Sequence, residues 1–216
     1  MFRGTIAEIF YNVWPILLIV TVIIVSLRIA YILKYKVKVV FYKDVIYFGF
    51  IMYILCLFYV VTFQDVGWST SNYIPFKEMF RYAIGSRLFF KNVIGNMLMF
   101  VPYGFFIAYI LKLKKIKYIL LLSLIVSVTI ETTQLIIGRV FDVDDIILNV
   151  LGGIVGFLIF KFIYFLKIHS PEFLKKDIIY NILMVIIITL MIIYMLGIIG
   201  VRIWLSLRFL MSMEKK

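Results

Sequence analysis

Six long apolar runs, Ile9–Leu33, Val45–Phe63, Val93–Leu111, Ile116–Ile137, Ile146–Leu166 and Ile178–Gly200, alternate with short polar or basic connections. A helix needs about 20 residues to cross the hydrocarbon layer of a bilayer, and each run is long enough. The pattern predicts an all-α polytopic transmembrane helical bundle of six spans, forming a single membrane domain over residues 1–216. The first run exceeds the apolar core of a secretory signal and has no small-x-small cleavage site after Val25, so it is read as a retained anchor. Only the connection from Gln64 to Asn92 is long. Within it, Phe80, Ala83, Ile84 and Leu88 recur at helical spacing with Arg81 and Arg87 between them. This predicts an amphipathic helix over Met79–Leu88, lying on the membrane surface or covering the bundle.

Composition sharpens the class. The 216 residues are 65% hydrophobic and 16% charged, with a mean hydropathy of +1.11, which excludes a water-soluble globule. With four prolines and no long Ser-rich, Gln-rich or acidic tract, a disordered tail is not expected. The net charge of +12 would suggest nucleic acid in a soluble protein. Here the basic residues fall between apolar runs, where they report orientation against anionic lipid, and no nucleic-acid partner is implied.

Arg28, Lys34, Lys36, Lys38 and Lys43 flank the first connection, Lys112, Lys114, Lys115 and Lys117 the third, and Lys161, Lys167, Lys175 and Lys176 the fifth. Only Asp44, Glu172 and Asp177 oppose them, so these connections are expected in the cytoplasm, with both termini outside. Arg202, Arg208, Lys215 and Lys216 run against that placement of the C-terminus, and a miscounted or re-entrant last segment would resolve the conflict. Trp14, Trp68 and Trp204 fall near span ends, as an interfacial belt requires. The single cysteine, Cys56, lies mid-span and reads as a buried spectator thiol.

Polar residues inside apolar spans carry the remaining information, since a charge at mid-bilayer costs on the order of 3 kcal/mol even on lenient insertion scales. Asn92 and Asn96 are four apart where the third span enters from outside. Glu131 and Gln134 are three apart where the fourth span emerges, followed by Gly138 and Arg139. Asp142, Asp145 and Asn149 continue at spacings of three and four with Asp144 beside them, and Gly152 and Gly156 extend the stripe as a small-xxx-small pair widened by Gly153. A tight hairpin through Gly138–Phe141 brings Glu131, Gln134 and the aspartates together in a shared cluster on the outer, extracellular side.

These residues resemble the VanZ-like family of bacterial membrane proteins. The resemblance rests on Asn92–Gly104, on Glu131–Asp145 continuing through Asn149 to Gly152, Gly153 and Gly156, and on Asn-Tyr-Ile-Pro-Phe at Asn72–Phe76. It covers residues 72–160 as a VanZ-like core. It implies a multi-pass protein of the bacterial cytoplasmic membrane and cell envelope, of the kind linked to antibiotic resistance through reduced susceptibility to lipoglycopeptides such as teicoplanin.

Several chemistries fit the cluster. One is a structural network in which Arg139 neutralises carboxylates and Asn or Gln satisfies the remaining lone pairs. Four carboxylates beside one arginine leave surplus negative charge, which suits instead the cationic or hydroxyl-rich head group of an amphiphile, a lipoglycopeptide or a lipid-linked envelope ligand. A membrane-embedded hydrolase or transferase would use Asp142, Asp144, Asp145 and Glu131 as general acid, base or divalent-metal ligands. The only histidine, His169, falls on the cytoplasmic side, so neither a Ser-His pair nor a His-ligated zinc site can form in the cluster, and no GxxxxGK phosphate loop occurs, which excludes ATP-driven transport within this chain. No cofactor is required by the sequence. A small lipid flippase or transporter would need acids nearer mid-bilayer, whereas Glu131 lies only about 12 Å of helix rise from Arg139.

Overall fold

A computed structural model describes residues 2–63 and 70–213, with side chains described for 12–63, 70–194 and 196–197. The described residues form six long helices: α1 (Phe2–Tyr35), α2 (Phe41–Phe63), α3 (Arg87–Leu111), α4 (Ile116–Ile136), α5 (Val143–His169) and α6 (Asp177–Met213). Each contains a stretch long and apolar enough to cross a membrane. Helices overrun the apolar runs because interfacial polar residues continue them: α5 starts three residues before Ile146 and ends three after Leu166. The chain divides into two compact units, residues 1–39 with 44–169, and residues 40–43 with 170–216.

In the first unit, α3, α4 and α5 form the packed centre. Helices α3 and α5 approach to backbone contact because their facing positions lack side chains. A Cβ at Gly152 would lie 2.0 Å from the Met97 carbonyl oxygen, one at Gly156 2.1 Å from that of Val101, and one at Gly104 2.1 Å from that of Gly153. Below this crossing Phe100, Tyr103, Ala108, Ile119 and Phe157 make the buried apolar core. Tyr53 of α2 donates to the Met99 carbonyl at 2.7 Å, tying α2 to α3. Helix α1 joins α2 through the Arg28–Asp44 ion pair at 2.9 Å.

The connections follow from their residues. Gly138, at φ +83°, ends α4 in a Schellman turn: Arg139 N–H donates to the Gln134 carbonyl and Gly138 N–H to that of Leu135. Helix α3 opens with a π-turn over Phe90–Ile94, in which Gly95 N–H reaches back to the Phe90 carbonyl. The amphipathic helix expected over Met79–Leu88 is not formed. Residues 75–81 make turns, Gly85 adopts φ +84°, and helix begins only at Arg87 after the Ser86 cap.

In the second unit, the 3₁₀ turn Glu172–Lys175 leads into α6. Asn181 Oδ1 accepts from Tyr42 N–H at 3.0 Å, and the Tyr42 hydroxyl donates to Asp177 at 3.1 Å. Trp14 lies half exposed near the start of the first span. Trp68, Lys215 and Lys216, and the side chains of Trp204, Arg202 and Arg208, lie outside the described residues.

Candidate functional site

The polar residues of α3, α4 and α5 gather at one end of this bundle, opposite Lys112, Lys114, Lys115 and Lys117. Helix α5 begins with acids, where its dipole and orphan N–H groups favour negative charge. Asp142 is the N-cap: its Oδ1 accepts from Asp144 N–H at 2.9 Å. Glu131, 2% exposed on α4, accepts from Asp142 N–H at 3.0 Å. Asp145 accepts a short hydrogen bond from the Asn96 amide of α3.

Asp142 and Asp144 also hold the preceding loop. Asn72 N–H donates to the Phe141 carbonyl at 2.8 Å and Val143 N–H to the Asn72 carbonyl at 3.0 Å, an isolated parallel bridge. The Asn72 side-chain amide donates to Asp142 Oδ1 at 2.9 Å, and its Oδ1 accepts from Ile74 N–H. Asp144, 1% exposed, accepts from the backbone N–H groups of Phe76, Glu78 and Met79, the last two at 2.7 and 3.0 Å. Phe76 takes φ +68° to turn its N–H inward, forming an amide nest around a carboxylate. Burial pushes the Asp142 carboxyl above the ordinary aspartate range, against the downward pull of its bonds from Asn72 and Asp144.

Gln134 and Arg139 also reach toward α2. Both donate to the Val61 carbonyl, Gln134 at 3.3 Å, in the last turn of α2, where carbonyls lack helical partners and the dipole favours a cation. Asn92 sits half-buried in the π-turn, and Asn96 is the residue of that pair that reaches Asp145.

Deeper in the bundle, Asn149 of α5 donates to Ser127 Oγ of α4 at 2.9 Å, both residues being buried. Ser123 follows one turn below Ser127, with its Oγ 2.1 Å from where a Gly153 Cβ would lie. Ser123 and Ser127 are absent from the sequence reading. Their spacing of four from Glu131, which puts all three on one buried face of α4, is the signal that would have found them.

The hydrogen bonds leave an imbalance. Among the described residues, Glu131 Oε1 and Asp145 Oδ2 have no donor, and Asn149 Oδ1 is buried without one. No three His, Cys, Asp or Glu side chains among the described residues converge as a metal site. A cavity of about 290 Å³ lies apart from the acids, lined by α1 and α2 residues including Val13, Ile16, Leu55 and Phe58.

Six helices long and apolar enough to cross a membrane, three of them carrying the acid-bearing end of the first unit, define a multi-pass α-helical membrane protein. The pattern of the VanZ/LLP1 family matches residues 45–167, more than half of the chain, and the chain belongs to that family. The match begins within α2 and runs almost to the end of α5, beyond the 72–160 carried by the motifs. No curated protein and no solved structure matches the chain.

Proposed function

We propose that this VanZ/LLP1-family protein binds or handles an amphiphile or envelope lipid at the acid-bearing end of its bundle, on the extracellular side of the bacterial cytoplasmic membrane, and so lowers susceptibility to lipoglycopeptides such as teicoplanin. The observation that carries this reading is the pairing of two donor-poor carboxylates, Glu131 and Asp145, with a loop tethered at the same end by Asp142 and Asp144. Phe80 and Ile84 on that loop are 83% and 91% exposed. Acceptors without donors suit a cationic or hydroxyl-rich head group, and exposed apolar side chains suit the tail. The lysines at the opposite end of the bundle support the extracellular placement.

The geometry disfavours the hydrolase alternative: Asp142 and Asp144 are committed to backbone and Asn72 donors, which leaves too few free carboxylates for a general acid, a base and a metal. The test is teicoplanin and vancomycin susceptibility in a sensitive Gram-positive host expressing wild type or Asp145→Asn, with membrane abundance measured by blot. Selective protection against teicoplanin by wild type, lost in an equally abundant variant, is expected. No protection by wild type, or equal protection by the variant, overturns the reading.

A further inference from the structure

The three acceptor oxygens without donors lie on consecutive levels of one seam. Glu131 and Asp145 form its mouth, and Ser127 and Asn149 form the next level, one turn deeper on each of α4 and α5. Asn149 is 4% exposed, its Nδ2 is committed to Ser127, and its Oδ1 is buried with no hydrogen-bond partner. Leaving such an oxygen without a donor forfeits a hydrogen bond that almost every buried polar group makes. Ser123, at the level below, is fully buried, and Ile119 and Phe157 close the seam in the apolar core. The line of polar groups therefore runs from the acids and ends within the bundle.

From this we infer that the seam is a binding site for a monovalent metal cation, Na⁺, held between its first two levels by Glu131 Oε1, Asp145 Oδ2 and Asn149 Oδ1, with Ser127 Oγ beside them. The donor set is all oxygen, as a hard cation requires. Two carboxylates mixed with neutral amide and hydroxyl oxygens suit a single charge better than the carboxylate-rich shell of a divalent ion, in keeping with the absence of any three converging acids among the described residues. The inference uses the same carboxylate pair as the proposed function but does not depend on the amphiphile.

The test is thermal unfolding of the full chain in lipid nanodiscs, with no amphiphile added, as NaCl replaces choline chloride at constant ionic strength. A saturable rise in Tm with Na⁺, smaller with K⁺, is expected, since an ion that binds only the folded state stabilises it by mass action. Asp145→Asn, which preserves side-chain volume, should abolish the Na⁺-dependent shift, as should Asn149→Ala if it folds. Ser123→Ala, outside the ion's shell, should keep it. Equal Tm in Na⁺ and choline, or a shift retained in Asp145→Asn, overturns the site. No teicoplanin protection by wild type together with an intact wild-type Na⁺ shift would count against the proposed function alone.

Discussion

Helix α5 turns two unlike faces to its neighbours. Toward α3 it offers Gly152 and Gly156, and the helices meet backbone to backbone. Toward α4 it offers Asn149 and Gly153 against Ser127 and Ser123, while Asp145, one turn above Asn149, takes its hydrogen bond from Asn96 of α3. The first face sets a distance and has no chemistry to spare. The second is held by few hydrogen bonds and keeps oxygens that the fold does not use. A single helix thus separates structural work from candidate chemistry by direction around its axis, and the separation can be tested face by face.

The largest effect is expected from Gly156→Leu. Its side chain would have to occupy space within 2.6 Å of both the Val101 oxygen and the Phe105 nitrogen, backbone atoms that cannot turn aside. The cost should exceed the roughly 3 kcal/mol of ordinary overpacking, and monodisperse folded protein should be lost in detergent size-exclusion chromatography. Asp144→Asn acts where the two faces meet, at the start of α5. It removes the charge from an acceptor of three backbone N–H groups, about 1.5–3 kcal/mol for each charged bond, and should release the loop rather than unfold the bundle. Trypsin cleavage at Lys77 and Arg81, slow in wild type, should become fast.

On the polar face, a double-mutant cycle of Ser127→Ala and Asn149→Ala should give a coupling of only about 0.6 kcal/mol, as interhelical hydrogen bonds in membranes average. A coupling several times larger would make this face structural after all. The smallest effect belongs to Ser123→Ala. Its hydroxyl is buried with no hydrogen-bond partner, so removal should leave Tm unchanged or slightly higher.

The spans were legible because hydropathy over 20 residues is a strong signal, and the Gly152/Gly156 stripe is placed by spacing alone. The loop was not, because its fold depends on a partner 68 residues away. The periodicity of Phe80, Ala83, Ile84 and Leu88 is helical, yet the chain just before it is moored to Asp144 through Phe76, Glu78 and Met79, and Gly85 at φ +84° breaks the run, neither of which the pattern encodes. The aspartate run Asp142, Asp144, Asp145 reads as one cluster in sequence. Its place at a helix start divides the roles into an N-cap, a loop anchor and a carboxylate facing Asn96. Recognising the N-cap signature before an apolar run would have exposed part of that division. The π-turn at Phe90–Ile94 has no comparable sequence mark.

The nest around Asp144 reads main chain, not side chains. Positions 78 and 79 therefore tolerate nearly any residue except proline, which has no N–H to give, while position 76, at φ +68°, is further restricted to residues that accept a left-handed backbone. The loop over the acids can change its chemical character freely across descendants of this sequence while staying moored at the same place. What it presents to the outside is open to diversification, and its attachment is not.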